Sequence, residues 1–205
     1  MNLYPSKIDR FERFVEKIKG DVYPEPPSEL HLTITHNMFD YFNRKYPLPP
    51  GSKILDIGCG QGVALKLFTK NGYTPVGITL SQDDLTVCRQ DGHEVYEMDQ
   101  SFLGFADQEF DFIWCRHCLE HSAFPFFTLS EMFRVLGPRG YLYVEVPAPD
   151  TSCRHQTNKN HYSVLGKSMW IELMKRAGFM ILEDLEISFE VKAGPDIYWV
   201  FILQR

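Results

Sequence analysis

The chain has 205 residues, of which 44% are hydrophobic and 23% are charged, and its formal net charge at pH 7 is −6. This length suffices for one complete α/β domain and is short for two. The acidic balance disfavours broad electrostatic attraction to nucleic acid or to an anionic membrane surface. The five cysteines are odd in number and scattered, which favours free thiols in a reducing cytoplasm. We also expect no signal peptide and no membrane span, because no apolar run approaches the necessary length.

Two amphipathic helices are predicted ahead of the first strand. Apolar residues at helical spacing indicate a helix over 6–19 and a second one, rich in aromatic residues, over 29–46. A proline-rich connection over 21–28 joins them. We therefore expect one domain, in which residues 1–50 form a helical addition to a core at 51–205. The addition serves either as a lid over bound ligands or as a packing cap.

From residue 53 onwards, short apolar segments alternate with helical patterns. The predicted strands are 53–57, 74–79, 94–98, 111–115, 141–146, 179–188 and 198–203, and the helices between them are 62–71, 82–90, 126–136 and 166–177. Such alternation implies a parallel sheet with right-handed crossovers. The last two strands are joined by a loop containing Gly194 and Pro195, which is too short for a crossover helix, so the last strand should run antiparallel. The prediction is an α/β fold of the doubly wound, Rossmann-like type: a mostly parallel seven-stranded sheet with one antiparallel strand near the C-terminus, plus the N-terminal helices.

The segment 53–65, KILDIGCGQGVAL, predicts a nucleotide-binding turn. Three glycines follow a strand that carries Asp56, and a helix opens directly after them. Glycines let the backbone turn sharply and approach a ligand closely, and a helix N-terminus offers unpaired N–H groups. The G-x-G-x-G spacing differs from the G-x-G-x-x-G of a dinucleotide fingerprint, and no Gly-Lys-Ser/Thr follows to make a Walker loop. A nicotinamide-dependent dehydrogenase, the competitor at the level of the fold, is disfavoured by this spacing.

With Asp56 ahead of the first glycine, this segment resembles motif I of the class I S-adenosylmethionine-dependent methyltransferases, and the resemblance continues through most of the chain. It implies that the protein binds S-adenosylmethionine and releases S-adenosylhomocysteine. In the turn, the resemblance assigns cofactor contacts to Gly58, Cys59, Gly60, Gln61 and Gly62. Asp56 joins them as the acidic residue of the motif.

The run VGITLSQDD at 76–84 lies where such enzymes usually carry an acid that accepts from both ribose hydroxyls. Here that place is Thr79, followed by Leu80. The run G-I-T-L-S resembles cyclopropane-fatty-acid synthases, in which hydroxyl and backbone groups replace the acid and a polar residue one turn later reaches the ribose. By that resemblance Asp84 is the ribose candidate and Asp83 comes next. The open alternative is that both carboxylates complement the dipole of the helix they begin.

Residues for the adenine and methionine portions of the cofactor follow from the same resemblance. In YEMDQSF, 96–102, Asp99 should accept from the adenine amino group, with Gln100 and Ser101 beside it. A carboxylate, which only accepts hydrogen bonds, suits an exocyclic amine. Cys115 and Arg116, at the end of the fourth predicted strand, should lie beside the methionine portion and contact it through backbone groups.

The segment CRHCLEH at 115–121 suggests a metal site by resemblance. The ubiquinone-pathway O-methyltransferases and the small-RNA 2′-O-methyltransferases have E-x-x-E-H here and hold a divalent metal with it. This chain has H-x-x-E-H, which makes His117, Glu120 and His121 the metal candidates on one face of a helical turn, with His161 or His155 completing the site. A metal would lower the pKa of an acceptor hydroxyl. The alternative is that Glu120 and His121 hydrogen-bond the loop after the fourth strand.

Two other metal interpretations of this segment are disfavoured. The zinc peptidases with H-x-x-E-H need a continuous helix and a further acidic ligand, whereas this copy follows a strand of a nucleotide-binding sheet. Cys115 and Cys118 form a C-x-x-C, but the sequence has no second pair to complete a structural zinc site.

The polar loop at 148–163 follows the fifth strand, where acceptor specificity usually resides in this family. Its N-x-x-H-Y-S resembles small-molecule and glycan-type methyltransferases, so His161 would contact the acceptor or act as a base, or else cap the next helix. We predict a methyltransferase of a small organic acceptor, with O-methylation favoured over N-methylation and His121 or His161 as the catalytic residue. A lipid C-methyl or cyclopropane transferase and a non-catalytic cofactor-binding partner subunit stay open as alternatives. The sequence gives no indication of oligomeric state.

Overall fold

A computed structural model describes residues 6–19 and 28–205, and within them the chain builds one seven-stranded sheet and six α-helices. The strands are β1 Lys53–Ile57, β2 Thr74–Thr79, β3 Glu94–Glu97, β4 Phe110–Arg116, β5 Leu136–Pro147, β6 Met180–Val191 and β7 Gly194–Gln204. The helices are α1 Lys7–Lys19, α2 Glu29–Lys45, α3 Val63–Lys70, α4 Gln82–Gln90, α5 Pro125–Val135 and α6 Lys167–Arg176. Apart from Ser28, the predicted proline-rich connection lies outside the described residues. No helix in the described ranges combines the length and hydropathy that crossing a bilayer requires.

The strand order is β3-β2-β1-β4-β5-β7-β6, and β7 runs antiparallel to both of its neighbours. The other strands are parallel, so the predicted mostly parallel sheet with one antiparallel strand is confirmed. From β1 the chain first builds outwards through β2 and β3 and then returns to the opposite side of β1 with β4. Ligands of open α/β sheets bind at such a switch point, outside the carboxyl ends of the strands.

Two connections differ from the prediction. Gly194 and Pro195 belong to β7, where Val191 pairs with Gly194 and Glu190 pairs with Pro195, so a two-residue turn at 192–193 joins β6 to β7. Proline is tolerated at the beginning of a strand, which is why these residues do not end the pairing as a loop would.

Residues 137–140, which lie between the helix predicted over 126–136 and the strand predicted over 141–146, form a bulge within β5. Leu136 already pairs with Phe110, and regular pairing resumes between Tyr141 and Phe112. Arg139 adopts a φ of 62°, which accommodates the extra residues of the bulge. The fifth strand therefore begins earlier than the sequence pattern indicated.

Each face of the sheet carries its own apolar core. On one face, Leu129 of α5 and Trp170 of α6 are fully buried against the central strands. On the other face, the aromatic rings of Trp114 and Tyr143 stack with centroids 4.0 Å apart. Because the central strands are covered on both faces, they have nearly continuous apolar sequences.

Helix α2 is an integral part of the second core. Phe42 is 3% exposed and its ring stacks on Phe112 with a centroid separation of 4.1 Å. At the end of the helix, the hydroxyls of Tyr41 and Tyr46 donate to the two carboxylate oxygens of Glu183 on β6. The second half of α2 is therefore packed into the core on this face of the sheet.

Helix α1 packs against the protein mainly through aromatic rings. Phe11 lies 5.3 Å from Phe124 and 5.9 Å from Phe102 between ring centroids, and Val15 is buried. Both Phe11 and Phe14 remain more than 40% exposed. The aromatic side chains of α1 are thus much less buried than Phe39 and Phe42 of α2.

Replacing Phe42 with alanine should lower the free energy of unfolding by about 3–5 kcal/mol, because a fully buried aromatic ring and its stacking partner are lost. Urea unfolding followed by circular dichroism measures the change. Phe126→Ala is the matched control, since Phe126 is 47% exposed on α5, and it should shift the value by no more than about 0.5 kcal/mol. Equal effects of the two substitutions would show that α2 is not part of the cooperative core.

Candidate functional site

Two neighbouring cavities lie at the carboxyl ends of β1, β2 and β4. The larger has a volume of about 260 Å³ and the smaller about 120 Å³, and both are lined by Gly58, Gly60 and Arg116. The last turn of α1 contributes Ile18 and Lys19 to the wall of the larger cavity. The smaller cavity lies between the glycine turn and the first turns of α2. The cleft is therefore placed where the strand order reverses.

The glycine turn needs its glycines for two separate reasons. Gly58 has a φ of 73°, and a Cβ atom there would lie 2.8 Å from the sulfur of Cys118. That distance is too short for any side chain, so the turn can approach the loop after β4 only through glycine. Gly60 has a φ of 48° and faces open space, so its requirement is conformational.

Asp56 presents a buried carboxylate to the smaller cavity. It is 3% exposed, and its Oδ2 has no hydrogen-bond partner among the described residues. Burial, with a smaller contribution from Cys88, raises the pKa of Asp56 to about 8. Buried polar groups are almost always paired, so this oxygen has the properties of a ligand contact.

Two further acceptor oxygens of the same kind face the larger cavity. Asp84 is 6% exposed and its Oδ1 has no partner in the described part of the chain. Gln100 donates from Nε2 to the carbonyl of Cys118 at 2.8 Å, while its Oε1 is buried and unpartnered in the same sense. A ligand with an ammonium group at one end and hydroxyl and amino groups at the other would satisfy all three oxygens. S-adenosylmethionine has these donors, so the residues fit it.

The remaining predicted adenosine contacts also line the larger cavity: Thr79, Leu80, Asp99 and Ser101. Asp99 uses Oδ1 to accept from the backbone N–H of Ser101 at 2.7 Å. The hydroxyl of Thr79 accepts from the backbone N–H of Ser81 at 3.1 Å and so stabilises the turn that leads into α4. Thr79 therefore stabilises the backbone of the cavity wall, and Asp84 contributes a carboxylate to the same wall.

Of the predicted turn contacts, Cys59 and Gln61 line the smaller cavity. Gly62 lines neither cavity and serves as the N-cap of α3 with a φ of 79°. Cys115 is fully buried in the core and likewise lines neither cavity. The structure thus separates these two from the other predicted cofactor contacts.

Arg116 reaches the cleft through its side chain, not only through its backbone as predicted. One guanidinium nitrogen, Nη1, donates to the hydroxyl of Thr35 at 3.1 Å. Its Nε lies 2.9 Å from a carboxylate oxygen of Glu145, which is fully buried. Arg116 lines both cavities, and its guanidinium is a positive charge held in position by these two contacts.

His117 does not share a helical turn with Glu120 and His121. Its φ is 51°, and the following short 3₁₀ helix comprises only Leu119–His121. His117 Nε2 lies 2.6 Å from Glu145, and its ring stacks on Tyr198. Burial and the neighbouring Arg116 lower the pKa of His117 to about 4. It is therefore a neutral donor to Glu145, and the predicted arrangement of the three candidate metal ligands is wrong.

The structure instead brings Glu120 and His121 together with His161. One potential ligand atom from each lies within 4.8 Å of the others, and His121 lines the larger cavity. His121 Nδ1 lies 2.9 Å from the carbonyl oxygen of Asn160. Since a carbonyl only accepts, Nδ1 carries the proton and Nε2 is the basic nitrogen of the neutral ring.

His161 lies behind His121 and is not part of the cavity wall. Burial, followed by the nearby His121 and His155, lowers the pKa of His161 to about 4. His155 is turned away from this cluster towards Asp196, with 3.0 Å between its Nε2 and each carboxylate oxygen. Of the two histidines proposed to complete a site, only His161 is in position.

Sequence reasoning missed Glu145 and the loop carbonyl of Asn160. Glu145 lies in the apolar strand YLYVEVP, and a lone acid in a strand buried on both faces is a signal that could have identified it. The role of Asn160 leaves no such signal, because it acts through its backbone oxygen.

A profile of the family described as a methyltransferase domain matches residues 31–184, which extend from α2 into β6. The ubiquinone biosynthesis O-methyltransferase of Actinobacillus pleuropneumoniae is 26% identical over 156 residues, covering 69% of this chain and 64% of that protein. An O-methyltransferase of Pyrenophora dematioidea is 27% identical over 186 residues, covering 82% of this chain and 69% of that protein. The chain thus spans less than two thirds of the length of the first of these relatives.

Among solved structures, an S-adenosylmethionine-dependent methyltransferase from Archaeoglobus fulgidus superposes with a TM-score of 0.70 at 18% identity. The superposition covers 95% of this chain and 99% of that one. At this level of identity the similarity concerns the fold alone. The predicted Rossmann-like architecture is confirmed.

Asp56 should make the stability of the chain depend on pH. Its folded-state pKa of about 8 lies above its ordinary value of 3.8, so the native state binds the proton more tightly between these values. Its contribution is fully present below about pH 4 and is lost as the pH rises through about 8. Between pH 5 and pH 9, the free energy of unfolding measured with urea should therefore decrease more for the unsubstituted chain than for Asp56→Asn. Parallel losses in both proteins would contradict the buried, unpaired carboxylate.

Proposed function

We propose that this chain, which belongs to the class I S-adenosylmethionine-dependent methyltransferases, methylates a small organic acceptor at an oxygen atom. When bound, S-adenosylmethionine supplies the methyl group, which is electrophilic because it is attached to a sulfonium sulfur. The protein holds the acceptor in line with that group and excludes water. The observation that carries the proposal is the position of His121 in the wall of the larger cavity, with its tautomer set by a backbone carbonyl.

A base is needed for oxygen acceptors more than for amines. A hydroxyl is a poor nucleophile until it loses its proton, whereas an amine needs only to be neutral. His121 Nε2 is the basic nitrogen of a ring whose Nδ1 donates to the carbonyl of Asn160. The O-methyltransferase activities named for two relatives support the same acceptor class.

His161 supports His121 and does not replace it. Its pKa of about 4 means that it stays neutral at pH 7 and is a weak base. Its ring meets the ring of His121 edge to face, with centroids 4.7 Å apart. We assign proton removal to His121 and its orientation to His161.

A divalent ion offers a second route to the same chemistry. Glu120, His121 and His161 are the residues that would hold it, because they converge within 4.8 Å. Such an ion would lower the pKa of an acceptor hydroxyl and reduce the need for a base. The effect of a chelator on turnover distinguishes the two routes.

The cofactor-binding residues divide between the cavities. In the larger cavity, we assign Asp84 to the ribose hydroxyls and Asp99 and Gln100 to the adenine, because all three residues line this cavity and the buried Oδ1 of Asp84 and Oε1 of Gln100 have no partner in the described part of the chain. In the smaller cavity, Asp56 suits the ammonium of the methionine portion and the guanidinium of Arg116 suits its carboxylate. Each end of the cofactor thus meets groups of complementary charge or hydrogen-bonding capacity.

Calorimetric titration with S-adenosylmethionine and S-adenosylhomocysteine, with NADH as the control, tests the binding step. We expect both sulfur compounds to bind and NADH not to bind. Release of S-adenosylhomocysteine is then measured with phenols, catechols, carboxylic acids and primary amines as acceptors, with and without a chelator. Turnover of amines alone would contradict the O-methylation proposal. Binding of both sulfur compounds without turnover of any acceptor would favour the partner-subunit alternative.

His121→Ala should lower kcat with the best oxygen acceptor by about 10²- to 10⁴-fold, because the general base is lost. Since His121 is not assigned to the cofactor, the Kd for S-adenosylhomocysteine should stay within about twofold. The residual rate should increase with pH as the acceptor ionises by itself. His36→Ala, at an exposed position of α2, is the matched control and should leave kcat unchanged. Equal losses of turnover and cofactor affinity in His121→Ala would exclude the proposed role.

Asp84→Asn should weaken binding of S-adenosylhomocysteine by about 10- to 100-fold, because a charged acceptor of the ribose hydroxyls is lost. Asp83 is the neighbouring carboxylate in the first turn of α4 and is exposed. Asp83→Asn removes the same charge from the helix N-terminus without changing the cavity wall. If both substitutions weaken binding equally, the carboxylates act through the helix dipole and not through the ribose.

A further inference from the structure

A second cluster of potential metal ligands lies outside the cleft, where the loop after β5 meets the β6–β7 hairpin. It consists of Cys153, His155 and Asp196, and one ligand atom from each lies within 4.8 Å of the others. Asp196 is 3% exposed, and the side chain of His155 is 11% exposed. None of the methyl-transfer roles assigned above uses these residues.

The local backbone directs all three side chains to the same point. Arg154, between Cys153 and His155, has a φ of 50°, so the chain reverses sharply and both neighbours can face Asp196. The backbone N–H of Ser152 donates to the carbonyl of Pro195 at 3.3 Å. The loop is therefore anchored to the beginning of β7 immediately beside the cluster.

We propose that Cys153, His155 and Asp196 bind a divalent ion of the zinc class, which ties the loop after β5 to the β6–β7 hairpin. The ion is held by a thiolate sulfur, an imidazole nitrogen and a carboxylate oxygen. Its binding displaces the thiol proton and the hydrogen bonds that His155 makes to Asp196. Water completes the coordination.

The set of donors selects the class of ion. Thiolate and imidazole ligands suit Zn²⁺ and its borderline-soft neighbours, whereas Mg²⁺ and Ca²⁺ prefer oxygen ligands alone. Ligand bonds of about 2.0–2.3 Å in a tetrahedral site place the ligand atoms about 3.3–3.8 Å apart. The cluster already lies within 4.8 Å, so a small inward movement of these side chains completes the site.

The site would influence the cleft through a row of three histidines. The ring of His155 lies nearly parallel to the ring of His161, with centroids 5.8 Å apart, and His161 meets His121 at 4.7 Å. Fixing His155 with an ion would restrict the neighbouring rings and the loop that carries Asn160. The ion would act on the position of the acceptor loop and not on the reacting atoms.

The thiolate gives this cluster a signature that the cluster in the cleft lacks. Glu120, His121 and His161 offer only nitrogen and oxygen, so cobalt bound there produces no thiolate-to-metal charge-transfer band. We therefore titrate the chelator-treated full chain with Co²⁺ and record the near-ultraviolet spectrum. The band should appear in the unsubstituted chain and in His161→Ala, and Zn²⁺ should remove it by displacement.

Matched cysteine variants locate the ligand. Cys153→Ser should abolish the band, whereas Cys118→Ser, which alters the other half-buried thiol, should retain it. Asp196→Asn should weaken Zn²⁺ affinity at least about tenfold. Absence of the band in the unsubstituted chain, or its persistence in Cys153→Ser, would overturn the proposal.

A second measurement needs no variant and so does not depend on how Cys153→Ser folds. The unsubstituted chain is labelled with iodoacetamide with and without Zn²⁺, and modified peptides are quantified by mass spectrometry. Zn²⁺ should slow labelling of Cys153 at least about tenfold and leave Cys118 unaffected, because the metal-bound sulfur is no longer a free nucleophile. Equal rates at Cys153 with and without Zn²⁺ would also overturn the proposal.

Discussion

The arrangement of the cleft depends on one buried carboxylate, Glu145, at the end of β5. It is inaccessible to solvent and is approached by Arg116, His117 and the hydroxyl of Tyr143. Burial alone would raise the pKa of Glu145, but the hydrogen bonds from His117 and Tyr143 and the positive charge of Arg116 lower it below its ordinary value, so the group is ionised at neutral pH. Its charge is balanced by Arg116, since burial keeps His117 neutral. Losing one partner of such a network leaves an uncompensated buried charge, which destabilises strongly. The carboxylate therefore fixes Arg116 between the cavities and holds His117 away from the cluster in the cleft.

The second constraint is the contact between the glycine turn and the loop after β4. Gly58 lies so close to Cys118 that no Cβ atom can be accommodated, and this approach brings β1 and β4 together at the point where the sheet order reverses. The turn also separates the carboxylate of Asp56 from those of the larger cavity. The buried oxygens without a partner in the described part of the chain are consequently divided, with Asp56 at the smaller cavity and Asp84 and Gln100 at the larger one. Because the glycines carry no side chains, the backbone itself forms the contact surface at this point.

The positions of the strands along the chain could be predicted because they follow from local periodicity, and β1 and β2 have the predicted bounds. The antiparallel pairing of the last two strands was predicted, but the inclusion of Gly194 and Pro195 in β7 was not, because glycine and proline indicate a loop until the pairing partner is known. His117 was misplaced for a related reason. The spacing H-x-x-E-H suggests one helical face only if the segment is helical, whereas Glu145, distant in sequence, holds His117 in a left-handed conformation. The sequence motif thus correctly indicated that Glu120 and His121 lie close enough to share a ligand site, but it could not identify the partner of His117.

In the proposed function, the loop after β5 connects the base to the acceptor site. Its Asn160 carbonyl sets the tautomer of His121, so the position of this loop decides which nitrogen of the proposed base faces the cavity. The same loop supplies Tyr162 to the cavity wall and His155 to the carboxylate of Asp196 on β7. In the proposed function, a substitution in the loop that moves Asn160 would therefore also move the base. The contact between His155 and Asp196 restrains the middle of the loop, and so it limits how far such a substitution can move Asn160 and, with it, His121.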